Sequence, residues 1–205
     1  MVGAKGAFSC INFMLTLPCA YLPPIEWFAL LHHGDDVRIE VCDNYQKQTY
    51  RNRANIATPT GIQALTVPVR HGITALGADT LLSEQGSWRH LHMQALRSAY
   101  QMTPYYDYYA DELNAFYEPG LYPTLYSLNM ALATWMATQM GIERPLLTTT
   151  AYSPDTMADL HPKRQTTLIE TRPYYQVFSP RTGFIPRLSG IDLLMNMGPE
   201  SVLLL

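Results

Sequence analysis

Apolar residues in this chain come in short runs cut by proline and glycine. Phe8 to Leu17 is an apolar run of strand length ended by Pro18. Pro23-Pro24 then precedes Ile25 to Leu31, which predicts a short helix, because proline is tolerated where the first N–H has no partner. Gly34 stops it. Val37-Arg38-Ile39-Glu40-Val41 alternates apolar and polar side chains, the period of a strand. The chain therefore opens strand–helix–strand, the pattern of a parallel crossover unit. A polar stretch follows from Asp43 to Thr60, broken by Pro59 and Gly61. Ala64 to Val69 predicts another strand, with Pro68 pushing it to a sheet edge or a strand end. A loop with Gly72, Gly77 and Gly86 comes next.

The middle of the chain changes period. Ser87 reads as an N-cap, and Trp88, Leu91, His92, Ala95, Leu96 and Ala99 fall at helical spacing until Pro104. Tyr105 to Tyr117 predicts a second helix, rich in tyrosine. Tyr122 to Met140 predicts the longest one, striped by Leu125, Leu128, Leu132, Trp135 and Met136 and stopped by Gly141. Leu146 to Ala151 and Tyr174 to Phe178 are short strand candidates, while 152 to 173 is mixed in pattern. Ser189-Gly190-Ile191-Asp192 matches a capping box in its acidic form. Its helix runs to Met197, Gly198-Pro199 ends it, and the apolar tail from Ser201 to Leu205 docks on the body. The expected fold class is α/β: a mixed sheet flanked by helices, in one domain over residues 1–205, with a helical subdomain at about 87–140.

Composition narrows the function. The chain has 205 residues, 14 basic and 17 acidic, for a formal charge of −3. That argues against a general nucleic-acid binder, which carries a strongly basic face. Charged residues make up 15%, against roughly 25% in a typical domain, so a local concentration of charge stands out. Cys10, Cys19 and Cys42 form no CxxC pair, and an odd count argues against a disulfide framework or a zinc site. Reduced thiols in a cytoplasmic protein are the expectation. Lys5 ahead of Ala7 to Ala20 imitates a secretion signal, but Ser9, Cys10, Asn12 and Thr16 interrupt the run and Pro18-Cys19 spoils a cleavage site, so a buried first strand is the expectation. No other apolar run is long enough to span a membrane.

The chemistry-bearing segment is Asp43 to Arg53. Lys47, Arg51 and Arg53 fall within seven positions. If extended, Lys47, Thr49, Arg51 and Arg53 share a face; if helical, Lys47 and Arg51 do. Either way a compact cationic surface suits phosphate or carboxylate, and Tyr45 and Tyr50 could stack on a base or sugar. The segment follows the second strand directly, where ligands of α/β sheets bind. The plain alternative is a solvated loop whose charges meet only water or Asp43.

Several pieces, in order, resemble the WbqC-like proteins of bacterial surface-polysaccharide gene clusters. Tyr21-Leu22-Pro23-Pro24-Ile25-Glu26-Trp27-Phe28 resembles a YLPWIGYF-type opening, with Pro24 in place of tryptophan. Tyr45-Gln46-Lys47, Arg51-Asn52-Arg53 and Ile56 resemble a YQK…RNR…I signature, continued by Thr58-Pro59, Gly61 and Leu65 to Val69. Tyr175 to Phe178, Leu188-Ser189 and Ile191 to Gly198 resemble the C-terminal block. Gly190 departs from a more often apolar position, and a YLSG-type block expected between about 145 and 165 is missing. The resemblance implies a role in making surface glycan (O-antigen or capsule), as a transferase on a nucleotide-activated or amino-sugar intermediate.

On that reading Lys47, Asp43 and His33 are the candidate catalytic residues, with Asp43 or His33 as general base. Tyr21, Tyr45, Gln46, Arg51, Asn52, Arg53, Gln176, Asp192 and Asn196 are the candidate substrate-binding residues. Asp192 and Asn196 share a helix face and either grip a sugar hydroxyl or serve as cap and surface. The expected ligand is a phosphorylated or nucleotide-linked sugar, with no metal or other cofactor. Adjacent His32 and His33 rarely converge on one ion, and His90 and His92 diverge on a helix. Eight tyrosines between Tyr100 and Tyr126 either stack on carbohydrate or pack two helices. Two alternatives remain open: a non-enzymatic partner that binds carbohydrate or a polysaccharide-pathway enzyme, and a transferase with an aminoacyl-tRNA donor. No GxSxG, Walker loop, GxGxxG or HExxH occurs.

Overall fold

The fold comes from a computed structural model that describes residues 14–70, 77–164 and 166–205. Strand β1 (Leu15–Pro18), helix α1 (Ile25–His33) and strand β2 (Val37–Glu40) form the expected parallel crossover, with Leu15 opposite Val37 and Pro18 opposite Glu40. The start of the predicted first strand, Phe8 to Phe13, and the secretion-signal run lie outside the described residues. A two-residue strand β5 (Leu147–Thr148) pairs parallel with β2 on its other side.

The polar stretch after β2 hides a strand. Arg53–Thr58 is β3, and it forms an antiparallel hairpin with β4 (Gly61–Thr66) around Pro59-Thr60. Arg53, Asn55 and Thr58 give it a polar look, yet Ala54 and Ile56 alternate inward and are fully buried, a period of two. Gly61 adopts φ 116° at the turn exit, where a side chain would be strained. Pro68 lies beyond β4, so the strand ends before the ladder would need its missing N–H.

Helices α2 (Trp88–Tyr100), α3 (Tyr106–Ala115) and α4 (Leu125–Gln139) fill the middle. α2 packs on β3, and α2, α3 and α4 all pack on α6 (Gly190–Met197). One continuous apolar cluster runs from Leu17 and Ile39 through Leu96 and Leu113 to Leu132 and Met195. Thr124 caps α4 through the Ser127 N–H, and Ser127 returns a bond to the Thr124 N–H, a reciprocal cap.

Tyr174 to Phe178 is not a strand. The Gln176 side-chain amide bonds both the N–H and the C=O of Ile185, at 2.9 and 2.8 Å. A side chain thus supplies the pairing that a neighbouring backbone would give, and no ladder forms. A four-residue helix, α5 (Ser179–Thr182), follows. The tail from Gly198 to Leu204 is a 3₁₀ segment.

The start of α6 is knitted to the start of α1. Ser189 Oγ donates to the Leu22 carbonyl at 2.8 Å and accepts from the Ile191 N–H. The Ser189 N–H bonds the Asn55 carbonyl and the Gly190 N–H bonds the Pro23 carbonyl. Trp27, fully buried, donates its indole N–H to the Pro18 carbonyl. Such close approach requires glycine at 190, since a Cβ there would lie 2.6 Å from Phe28 Cε2 and 3.0 Å from Met140 Cε. Gly190→Ala is expected to destabilise the protein by about 1–3 kcal/mol through overpacking. A lower urea midpoint at unchanged m-value will show it.

Candidate active site

Segment 43–53 is neither extended nor helical. Turns between Lys47 and Arg51, with Gln48 at φ 59°, divide its cations. Arg51 turns inward and forms an ion pair with Asp43 in which both side chains are nearly buried. Lys47 and Gln46 stay exposed, and Arg53 enters β3 half-buried. The single cationic face expected from either regular conformation is therefore not formed.

The ion pair lies just beyond the carboxyl ends of β1 and β2. Cys19 follows β1, and Glu40 ends β2. Asn129, from the buried face of α4, donates Nδ2 to the Arg51 carbonyl at 2.7 Å. Glu40 is 1% exposed. Its Oε1 accepts from the Cys42 N–H at 2.6 Å and from Thr149 Oγ1 at 3.0 Å. The Gly77 N–H bonds the Asp43 carbonyl, and Gly77 approaches so closely that a Cβ there would lie 2.9 Å from Asp43 Oδ1. These groups surround a cavity of about 10 Å³, with Tyr45 and Tyr126 also on its wall. Burial pushes the Cys19 thiol up to about 12, against smaller opposing effects of Asn129 and Arg51, so it is not poised as a nucleophile. Burial also pulls the Arg51 guanidinium down, opposed by Cys19, Tyr152 and Glu40; a guanidinium nonetheless keeps its charge in a protein.

Tyr45 is also a wall of a second, open groove of about 370 Å³, lined with Lys47, Gln48, Asn52, Arg53 and Thr66 to Val69. Asn52 donates Nδ2 to the Val67 carbonyl at 3.0 Å. Its Oδ1 and Arg53 Nε are buried without a hydrogen-bond partner among the described residues.

Other candidates lie elsewhere. Tyr21 is fully buried, its hydroxyl between His92 Nδ1 at 2.8 Å and the Tyr117 hydroxyl at 2.5 Å. Burial lowers His92 to about 4. His33 is exposed at the C-terminal end of α1, with Nε2 3.0 Å from the Leu205 carbonyl. That end leads into the amino end of β2, so His33 and Asp43 sit at opposite edges of the strand. Of the eight tyrosines from 100 to 126, Tyr108 alone is exposed, which is helix packing rather than an aromatic platform.

Asp192, Asn196 and Gln176 gather in a separate buried network. Tyr174 donates to Asp192 Oδ2 at 2.6 Å, and Gln176 Nε2 lies 3.1 Å from the Tyr174 hydroxyl. Asn196 donates to the Asp192 carbonyl and accepts from the Val177 N–H. Asp192 thus faces Tyr174 instead of completing a capping box. None of the three lines the cavity or the groove. Burial pushes the Asp192 carboxyl up to about 6, against hydrogen bonds that favour the anion.

Glu40 and Asn129 belong to the site although the sequence reading did not select them. A polar residue on the apolar stripe of α4, at 129 beside 125, 128 and 132, was the available signal. A carboxylate at the end of the second strand, just ahead of the cationic segment, was another. Among the described residues, no group of three or more His, Cys, Asp or Glu is placed to hold a metal, and no helix is long and apolar enough to cross a membrane.

The family model described as the WbqC-like protein family matches residues 19–168. That span holds Cys19, Glu40, Asp43, Arg51, Asn129 and the groove, and stops before the Asp192 network. The chain is 25% identical to the uncharacterized protein Rv1507c of Mycobacterium tuberculosis over 218 residues, covering 88% of this chain and 92% of the relative. No solved structure matches it.

Removing one partner of a buried pair leaves the other charge uncompensated. Asp43→Ala is therefore expected to cost about 3–5 kcal/mol, while Lys47→Ala, on an exposed side chain, stays within about 0.5 kcal/mol; chemical denaturation compares them. Asp192 gives a pH signature. Its carboxyl binds a proton more tightly folded, at about 6, than unfolded, at about 3.9. Its contribution is thus fully present below pH 4 and is lost as pH rises through 6, amounting to about 3 kcal/mol. Asp192→Asn should remove this falling component from the stability–pH curve.

Proposed function

The chain belongs to the WbqC-like protein family, and from its site we infer that it binds a phosphorylated or nucleotide-linked sugar in the groove beside the Arg51–Asp43 pair. We propose that it acts there as a cytoplasmic transferase in bacterial surface-polysaccharide synthesis. One observation carries the reading: Lys47 and Arg53 line the same groove of about 370 Å³, and neither has an ion-pair partner among the described residues. The volume suits a small molecule. Paired cations suit phosphate oxygens, the lysine as a point charge and the arginine as a planar fork. Tyr45 offers a ring face to the sugar.

The division of the segment assigns roles. Arg51 is a positioning residue, because its charge is committed to Asp43. Lys47 and Arg53 hold the phosphate and stabilise the negative charge that grows on it as the sugar–phosphate bond breaks. Asp43 is committed to Arg51 in the same way and lines the cavity rather than the groove, so it too is a positioning residue; His33 lies at the far end of β2 and takes no part.

Calorimetric titration with UDP-N-acetylglucosamine, UDP and glucose 1-phosphate tests the reading. Binding of at least one phosphate compound is expected, weakened about 10- to 100-fold by Lys47→Ala or Arg53→Ala, as hydrogen bonds to charged groups are worth about 1.5–3 kcal/mol. Leu91→Ala, at an exposed position of α2, should bind as the unaltered protein does. No binding across the panel, or binding that both groove variants leave unchanged, contradicts the proposal.

A further inference from the structure

The small cavity beyond Tyr45 has a chemistry of its own. Two atoms of residues on its wall, Glu40 Oε2 and Asn129 Oδ1, are buried with no hydrogen-bond partner among the described residues. Both are fixed as acceptors. Glu40 Oε1 already receives Cys42 N–H and Thr149 Oγ1–H, which leaves Oε2 the free oxygen. Asn129 Nδ2 is committed to the Arg51 carbonyl, which leaves Oδ1 free. The carboxamide is 2% exposed and the carboxylate 1%, so bulk water does not serve them.

The charges do not balance either. Arg51 stands near both Glu40 and Asp43, one guanidinium against two carboxylates. Cys19 remains a neutral thiol. A cavity of about 10 Å³ admits a group the size of one water. What fits is a group of that size, with hydrogen-bond donors and a positive charge. A water supplies donors without charge, and an alkali cation supplies charge without donors.

We propose that this cavity binds an ammonium ion, which has the size of a water. Glu40 Oε2 and Asn129 Oδ1 each accept one of its N–H groups. Charge-assisted bonds of this type are the strong ones. Tyr45 is also a wall of the groove, so an ammonium ion in the cavity sits within one side chain of a ligand there. The inference does not rest on the groove's binding phosphate.

Thermal unfolding of the whole chain in ammonium chloride, potassium chloride and tetramethylammonium chloride, at equal concentrations near pH 7, tests it. Ammonium alone is expected to raise the midpoint in a saturable way, by roughly 5–10 °C at a hundred times its dissociation constant. Glu40→Gln should abolish that rise. An equal rise in potassium chloride would mean an alkali-cation site, an equal rise in all three salts an ionic-strength effect, and no rise in any a water site; each overturns the proposal. Where Glu40→Gln does not fold, the contrast between ammonium and the other two salts decides alone.

Discussion

The buried ion pair between Arg51 and Asp43 organises the region beyond the carboxyl ends of β1 and β2. Taking both charges out of water is costly, and the pair persists only because its surroundings complete it. The Gly77 N–H holds the Asp43 carbonyl, and Asn129 holds the Arg51 carbonyl. One contact therefore joins the carboxyl end of the parallel sheet, the turn at Gly77 and helix α4. It also draws Arg51 out of the cationic run and leaves Lys47 and Arg53 to the groove. Without it, segment 43–53 would be a loop of like charges beside the sheet.

The Asp192 network is a second buried polar assembly, with a different task. It ties residues 174–177 to α6 through Tyr174, Gln176 and Asn196. Helix α6 is locked in turn to α1 and β3 by Ser189 and Gly190. Burial makes Asp192 harder to ionise than a free carboxyl, while the hydrogen bonds it receives favour the anion. The two assemblies are separate: the residues that line the cavity and the groove come from 19 to 129, and those of the network from 174 to 196.

Much of the architecture was legible from local pattern. Proline before residue 25, alternation from 37 to 41 and the stripe from 125 to 136 each marked an element that the structure contains. Strand β3 was missed because Arg53, Asn55 and Thr58 mask the two inward apolar positions at 54 and 56. The false strand at 174–178 turns at Val177 and Phe178, and Gln176 reaches Ile185 through its side chain, which no periodicity reveals. The cationic run drew attention to 43–53, but spacing alone treated its three charges as equivalent. Their division depends on Asp43, eight residues before Arg51, and on turns that neither regular period represents. Glu40 and Asn129 gain their place only when the ends of β1 and β2 meet α4, a contact between distant parts of the chain.

The most direct measurement is a crystal structure of the protein soaked or co-crystallised with UDP-N-acetylglucosamine. The diphosphate is expected between Lys47 and Arg53, with the sugar against Tyr45 and the Arg51–Asp43 pair still closed beneath it. A diphosphate bound outside the groove, or one that takes Arg51 away from Asp43, would contradict the division of labour on which the proposed function stands.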